Sequence, residues 1–289
     1  MKRWRWVLWI AAAATLPACD DGLDQRLSII RDTRVLAVIA EPAEAKPGAL
    51  VEYQAVIASP SGPPTQPPAW AFCTAPKPPT EDNAVSVECI GTGSQIDLGV
   101  ADRVTGVLPA DGCLRFGPDT PPGGFRPRAA DATGGYYQPV KVTLDDELAF
   151  GLSRITCKLP AAPAELARRY DVDYVANRNP TFAIDAPAIV TANTDVPLTA
   201  SWPADSVESY LFFEPSAQAL LVRRESMHVS WYASGGALAV DGSLVDEQDV
   251  ATQVTTTWHT PDPGQAWLWF VLRDSRGGVA THVVPITVE

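Results

Sequence analysis

The 289-residue sequence predicts an all-β protein built from two tandem sandwiches. Three observations support this. Short runs rich in β-branched and aromatic residues recur with turn signals roughly every ten residues. Helical periodicity is almost absent along the chain. Cys73, Cys89, Cys113 and Cys157 all lie before Pro160, so the composition changes near the middle.

The first body is expected over 32–159. Arg34–Ala40 opens it as a strand that breaks at Glu41-Pro42. Lys46-Pro47-Gly48 turns the chain, and Leu50–Ile57 resumes it. Proline-rich stretches Ser59–Pro68, Thr74–Thr80 and Gly117–Gly135 are expected as long loops. Ala162–Tyr170 is the one helical segment. Pro163 suits a first helical position, Glu165 the positive end, and Arg168 with Arg169 the negative end. It begins a linker over 160–179 that closes at Asn179-Pro180.

The second body, 180–289, alternates more cleanly. Val196, Leu198, Ala200 and Trp202 share one face of a strand, as do Met227, Val229 and Trp231 on another. Thr252–Trp258, Ala266–Arg273 and Val279–Val288 complete the set. The order Trp231, Trp258-His-Thr-Pro261, then Trp269 through Asp274-Ser-Arg-Gly-Gly278 and a valine-rich last strand resembles immunoglobulin-like and PKD-like modules of bacterial surface proteins. The resemblance implies immunoglobulin-like sandwiches and is nearly silent on activity. The first body starts in the same style but carries its own cysteines and insertions.

The N-terminus carries a localisation signal. Lys2, Arg3 and Arg5 precede an apolar Val7–Thr15 and Leu16-Pro17-Ala18, the order of a secretory signal peptide over 1–18. The apolar run is shorter than the roughly 20 residues that span a bilayer. With Cys19 next, the segment resembles the lipobox of bacterial lipoproteins, with Pro17 departing from the usual pattern. That resemblance implies lipid on Cys19, a membrane partner and a place in the cell envelope, the outer membrane favoured. Residues 19–31 are expected as a polar tether. Removing the three cations of the signal takes the net charge from −12 to −15, which disfavours nucleic acid as a partner.

Export puts the four remaining cysteines in an oxidising compartment, where two disulfides are expected. The sequential pairing, Cys73 with Cys89 and Cys113 with Cys157, is favoured among three connectivities. No CxxC pair supports zinc. Asp145-Asp-Glu147, and Asp241 with Asp246-Glu247, offer oxygens but not a calcium-loop spacing. Gly91-Thr-Gly-Ser94 lacks the second glycine of a nucleophile elbow. His228, His259 and His282 are expected as solvated. No catalytic residue, metal centre or cofactor is expected.

Ala266-Trp-Leu-Trp-Phe-Val-Leu272 is apolar on both faces, whereas a sandwich strand buries only one. Trp267, Trp269 and Val271 therefore need a cover. Packing against a neighbouring strand, a loop or the first body, a platform for glycans, and a protein-binding patch are the competing explanations. The expected function is a non-enzymatic, lipid-anchored surface protein acting in adhesion, as a scaffold or as an accessory subunit. It would meet a protein partner in the envelope. The alternative is a carbohydrate-binding module using the Trp267/Trp269 face.

Overall fold

A computed structural model of the chain describes residues 27–76, 85–119 and 131–289. The signal segment, Cys19, most of the expected tether and parts of two proline-rich loops lie outside the described residues.

The protein is all-β, with two β-sandwich bodies in tandem. In the first, β1 (Arg34–Glu41), β2 (Glu44–Ala45), β3 (Leu50–Ala58), β4 (Ala69–Cys73), β5 (Gln95–Val100), β6 (Arg103–Val107), β7 (Gly135–Leu144) and β8 (Glu147–Thr156) form two sheets. One has the order β1-β3-β6 and the other β2-β8-β7-β4-β5. The chain changes sheet at the cis Glu41–Pro42 peptide. Val51, Tyr53, Trp70, Phe72, Val140 and Val142 fill the space between them. Tyr53 meets Phe72 edge to face at 5.5 Å, and its hydroxyl donates to Ser153 Oγ at 3.0 Å, so the buried phenol is satisfied.

Cys73 is bonded to Cys89, and Cys113 to Cys157, with Cα–Cα separations of 5.3 and 5.7 Å. The first bridge holds the turn Val87–Cys89 to the end of β4. The second holds the short helix Gly112–Arg115 to the residue after β8. Replacing Cys73 and Cys89 with serine, which frees a 16-residue separation, is expected to lower stability by about 3 kcal/mol on the loop-entropy model. Urea denaturation against wild type measures it.

The second sandwich comprises β9 (Ala183–Asp185), β10 (Ile189–Val190), β11 (Asp195–Ser201), β12 (Ser209–Glu214), β13 (Ala219–Arg224), β14 (Met227–Ala233), β15 (Ala237–Leu238), β16 (Gly242–Val245), β17 (Gln253–His259), β18 (Gly264–Asp274) and β19 (Val279–Val288). Its sheets run β10-β19-β18-β14-β16 and β15-β17-β11-β9, with β12–β13 a separate hairpin. Leu198, Ala200, Trp231, Trp258, Leu268 and Phe270 are in the core. The indole N–H groups of Trp231 and Trp258 donate to Ser243 Oγ and the Gly235 carbonyl. Glycine at 236 is required twice over: its φ is +80°, and a Cβ there would lie 2.2 Å from the His259 carbonyl.

The bodies stack side by side as four β layers. Leu36, Ala37, Ile39, Val56 and Ala58 on the outer face of β1–β3 meet Trp267, Trp269, Val271, Val279 and Val283 on the outer face of β18–β19. A β-bulge between Val35 and Ala37 turns both Leu36 and Ala37 toward this seam, while Val35 and Val38 face the first core.

Two expectations are corrected here. The tether does not extend to residue 31, because Leu27–Ile30 is part of the folded body. Ile29 bridges Ala233 in parallel and packs against the second core, and Ile30 is buried in the seam. Two adjacent isoleucines thus serve two different clusters, which makes a free segment energetically unfavourable. The segment 160–179 carries the expected helix. Its helix runs Ala164–Asp173 and packs Tyr170 with Leu159 and Phe213, a residue of the β12–β13 hairpin. Gly135, expected in a loop, begins β7.

Candidate functional site

The tryptophan face is inside the protein. Trp269 is fully buried between β18 and the β1–β3 sheet. Trp267 lies beside it, ring centroids 6.4 Å apart, and is half-buried against the turn at Gly62, where a Cβ would come within 2.5 Å of the indole. A sugar ring has no access to Trp269, so the carbohydrate-binding reading of this pair is overturned. Of the competing covers, the first body is the one present.

Beside this apolar seam lies a buried cluster of charge that the sequence did not announce. Glu44 of β2 is 2% exposed and Arg154 of β8 is 3% exposed, both on the first sandwich. Glu225, between β13 and β14, and Arg276, in the β18–β19 turn, are 0% and 1% exposed on the second. Arg276 donates from Nε to Glu225 Oε1 at 2.7 Å and from a terminal nitrogen to Glu208 Oε2 at 2.9 Å. It also donates to the Val175 carbonyl at 3.0 Å and to the Tyr174 hydroxyl at 3.2 Å. Its guanidinium stands 4.8 Å from the Tyr210 ring.

Glu44 gathers the rest. Its oxygens accept from the Tyr174 hydroxyl at 2.7 Å, the Asn177 backbone N–H at 2.9 Å and Thr156 Oγ1 at 2.9 Å, with Arg154 Nε at 3.2 Å. Asp274 accepts from Asn177 Nδ2 at 3.1 Å and from the backbone of Arg276 and Gly278. Both sandwiches and the connecting segment therefore share one hydrogen-bonded network. Taking such charges out of water is unfavourable unless each finds partners, which ties the network to one arrangement of the two bodies. Sequence reasoning passed over Glu44, Glu208, Glu225 and Arg276 because isolated charges on an acidic chain read as solvated.

A cleft of about 380 Å³ adjoins the network, between the edges of β1 and β8 and the β18–β19 turn. Side chains occupy hydrogen-bonding positions on β1: Glu147 accepts from the Val35 N–H at 3.4 Å, and Arg273 donates to the Leu36 carbonyl at 2.7 Å. Asn179 likewise donates to the Ala40 carbonyl at 2.7 Å. Side chains on these groups leave them less open to pairing with another strand.

The other candidate residues are dispersed. His259 pairs with Asp195 at 2.8 Å across β17 and β11, both side chains exposed, His282 bonds the Phe182 carbonyl, and His228 is pushed below the ordinary imidazole range by desolvation and by Arg273. Ser94 Oγ donates to Glu88 at 3.3 Å. Asp145 accepts from Gln66, and Glu247 pairs with Arg223 at 3.2 Å. Among the described residues no group of three or more histidine, cysteine or carboxylate side chains is arranged to hold a metal ion.

No family model matches the chain, and no curated protein matches it. Solved structures that match include the D0-D1 domain of intimin, at 12% identity over 88% of this chain and 98% of that one, with a TM-score of 0.23. Fibronectin(III)-like modules of CbhA from Clostridium thermocellum match at 12% identity over 89% and 94%, with a TM-score of 0.25. A superoxide reductase from Ignicoccus hospitalis matches at 15% identity over 38% and 80%, with a TM-score of 0.26. At these TM-scores the likenesses carry no functional argument.

Proposed function

We propose that this chain is a non-enzymatic envelope protein, held to a membrane by lipid on Cys19. It acts in adhesion, as a scaffold or as an accessory subunit beside a protein partner. The observation that carries the reading is the fusion of the two sandwiches through the seam and the shared charge network. The large apolar strand faces and the buried charges serve to make one rigid block. Loops and outer edges are then what the block presents to a partner. Two disulfides fit an exported protein. Because Leu27–Ile30 is docked, only the seven residues 20–26 lie between Cys19 and the body. Extended, they reach at most roughly 28 Å, so the block would sit close to its membrane.

Metabolic labelling with a fatty acid is expected to mark the wild-type protein and not Cys19→Ala. Crosslinking in intact cells is expected to capture one recurring envelope protein on the wild type, weakened when the anchor is removed. Equal labelling of both proteins would refute the anchor. Substrate turnover by the purified body, abolished by one side-chain replacement, would refute the non-enzymatic reading.

A further inference from the structure

One edge of β8 is paired and the other is partly open. Leu144 faces Glu147 across the tight β7–β8 turn, and at the far end the Cys157 N–H donates to the Gly134 carbonyl. Antiparallel pairing alternates, so Glu147, Ala149, Gly151 and Ser153 exchange hydrogen bonds with β7. The N–H and C=O groups of Leu148, Phe150 and Leu152 therefore point away from it. β2 uses this same edge further along, pairing in parallel at Arg154 and Ile155, and stops there. Among the described residues nothing pairs with the main chain of Leu148, Phe150 or Leu152. β1 passes alongside without bonding to them. It packs Val38 onto Gly151, where a Cβ would lie 2.4 Å from that side chain.

The open stretch borders the cleft of about 380 Å³, a size that holds small ligands and short peptide segments. Phe150 and Leu152 of β8, Val35 and Val38 of β1 and Val279 of β19 give it apolar walls. Leu152 is 41% exposed there, although its side chain is large and apolar. Arg273 lines the same cleft, half-buried. Among the described residues it forms no ion pair. Its bonds go to neutral oxygens, the Leu36 carbonyl at 2.7 Å and Ser230 Oγ at 3.4 Å. Two neighbouring carboxylates are turned elsewhere, Glu147 to the Val35 N–H and Asp274 to Asn177 and the backbone of Arg276 and Gly278. A half-buried guanidinium without a counter-ion favours a ligand that brings a carboxylate.

We propose that the free edge of β8 is a binding site for an extended, mainly apolar peptide segment of a protein partner, which adds as a strand in line with β2 and sets an acidic side chain on Arg273. Leu148, Phe150 and Leu152 each offer one donor and one acceptor at alternate positions, a spacing that an extended backbone matches. Main-chain pairing supplies affinity without regard to sequence, and the apolar walls with Arg273 supply selection. Natural proteins blunt the edge strands that are not meant to pair. β1 is blunted in this way by Glu147, Arg273 and Asn179, and β8 is left open beside it.

The inference rests on the reading that the block presents its edges to a protein partner, and not on lipid at Cys19. The probes are N-acetylated peptides of alternating valine and threonine, roughly six residues long as strands usually are, with one aspartate at each position in turn. Added to the whole mature chain, at least one is expected to slow amide exchange at Phe150 and Leu152 about tenfold or more. Asparagine in place of its aspartate is expected to weaken binding about tenfold, and Arg273→Gln to erase that difference. Methylating the backbone nitrogens of the peptide removes its donors and is expected to abolish binding. If Arg273→Gln does not fold, Leu152→Pro deletes an outward N–H that the fold leaves unpaired, and is expected to weaken binding about tenfold. Three results overturn the site: no peptide of the set protects β8, the methylated peptide binds as well as its parent, or whichever variant folds binds as the wild type does. A partner captured by crosslinking while β8 ignores every peptide would remove this site and leave the proposed function standing.

Discussion

Trp269→Ala is expected to destabilise the protein by about 3–5 kcal/mol, the range for emptying a fully buried aromatic site. Its ring lies in the seam, with the β1–β3 sheet on one side and its own sheet on the other. Neither layer can collapse into the space without moving a whole sandwich, which puts the effect toward the upper end. The indole nitrogen has no hydrogen-bond partner among the described residues, so Trp269→Phe is expected to lose much less. Denaturant unfolding of both variants measures the difference. An alanine variant as stable as wild type would show that the seam does not hold the bodies together. A second, low-denaturant transition would show them separating before they unfold, as domains joined by a weaker interface do.

Glu44→Ala is expected to cost a similar amount, about 3–5 kcal/mol, for a different reason. Truncation leaves the Arg154 guanidinium buried without its partner. It also orphans the Asn177 backbone N–H and the Tyr174 hydroxyl. Adding Arg154→Met is expected to return part of the loss, because no buried charge is then left alone. A double variant that shows the simple sum of the two single effects would mean that Glu44 and Arg154 do not act as a pair.

These two residues also mark what the sequence made legible. Trp269 sits in a strand whose apolar residues outnumber one sandwich face, so the need for a cover could be read directly. The identity of that cover stayed open in the sequence, although a signal for it was present. Val35-Leu-Ala-Val-Ile-Ala40 is equally continuous and apolar, which is the pattern of a strand buried on both sides. Two such strands in one chain are natural partners. The alternation in β11 and β14 placed their inward residues for the same physical reason, a period of two against a single core.

Glu44 offered no such signal. It sits in a two-residue strand after a proline, in a stretch that reads as turn, and its partners lie more than a hundred residues away. Pairing of charges across two bodies has no period and no spacing rule. The β12–β13 hairpin was passed over as well, although Tyr210-Leu-Phe-Phe213 and Ala219–Val222 flank a Pro-Ser turn. Its apolar faces are used by the helix Ala164–Asp173 and by the charged junction, so it follows neither sandwich's pattern.

The docked segment at residues 27–30 alters how force would travel through the protein. A pull on the chain ahead of Leu27 meets the second sandwich first, through the Ile30 N–H bond to the Ala233 carbonyl and the side chain of Ile29. Sequence order would route that load through the first sandwich and its disulfides. The fold diverts it into β14, a central strand of the other body, and the four layers share it as shear along the seam. Rupture of this small clasp would release the load onto β1, making Leu27–Ile30 a mechanical fuse ahead of the stacked core.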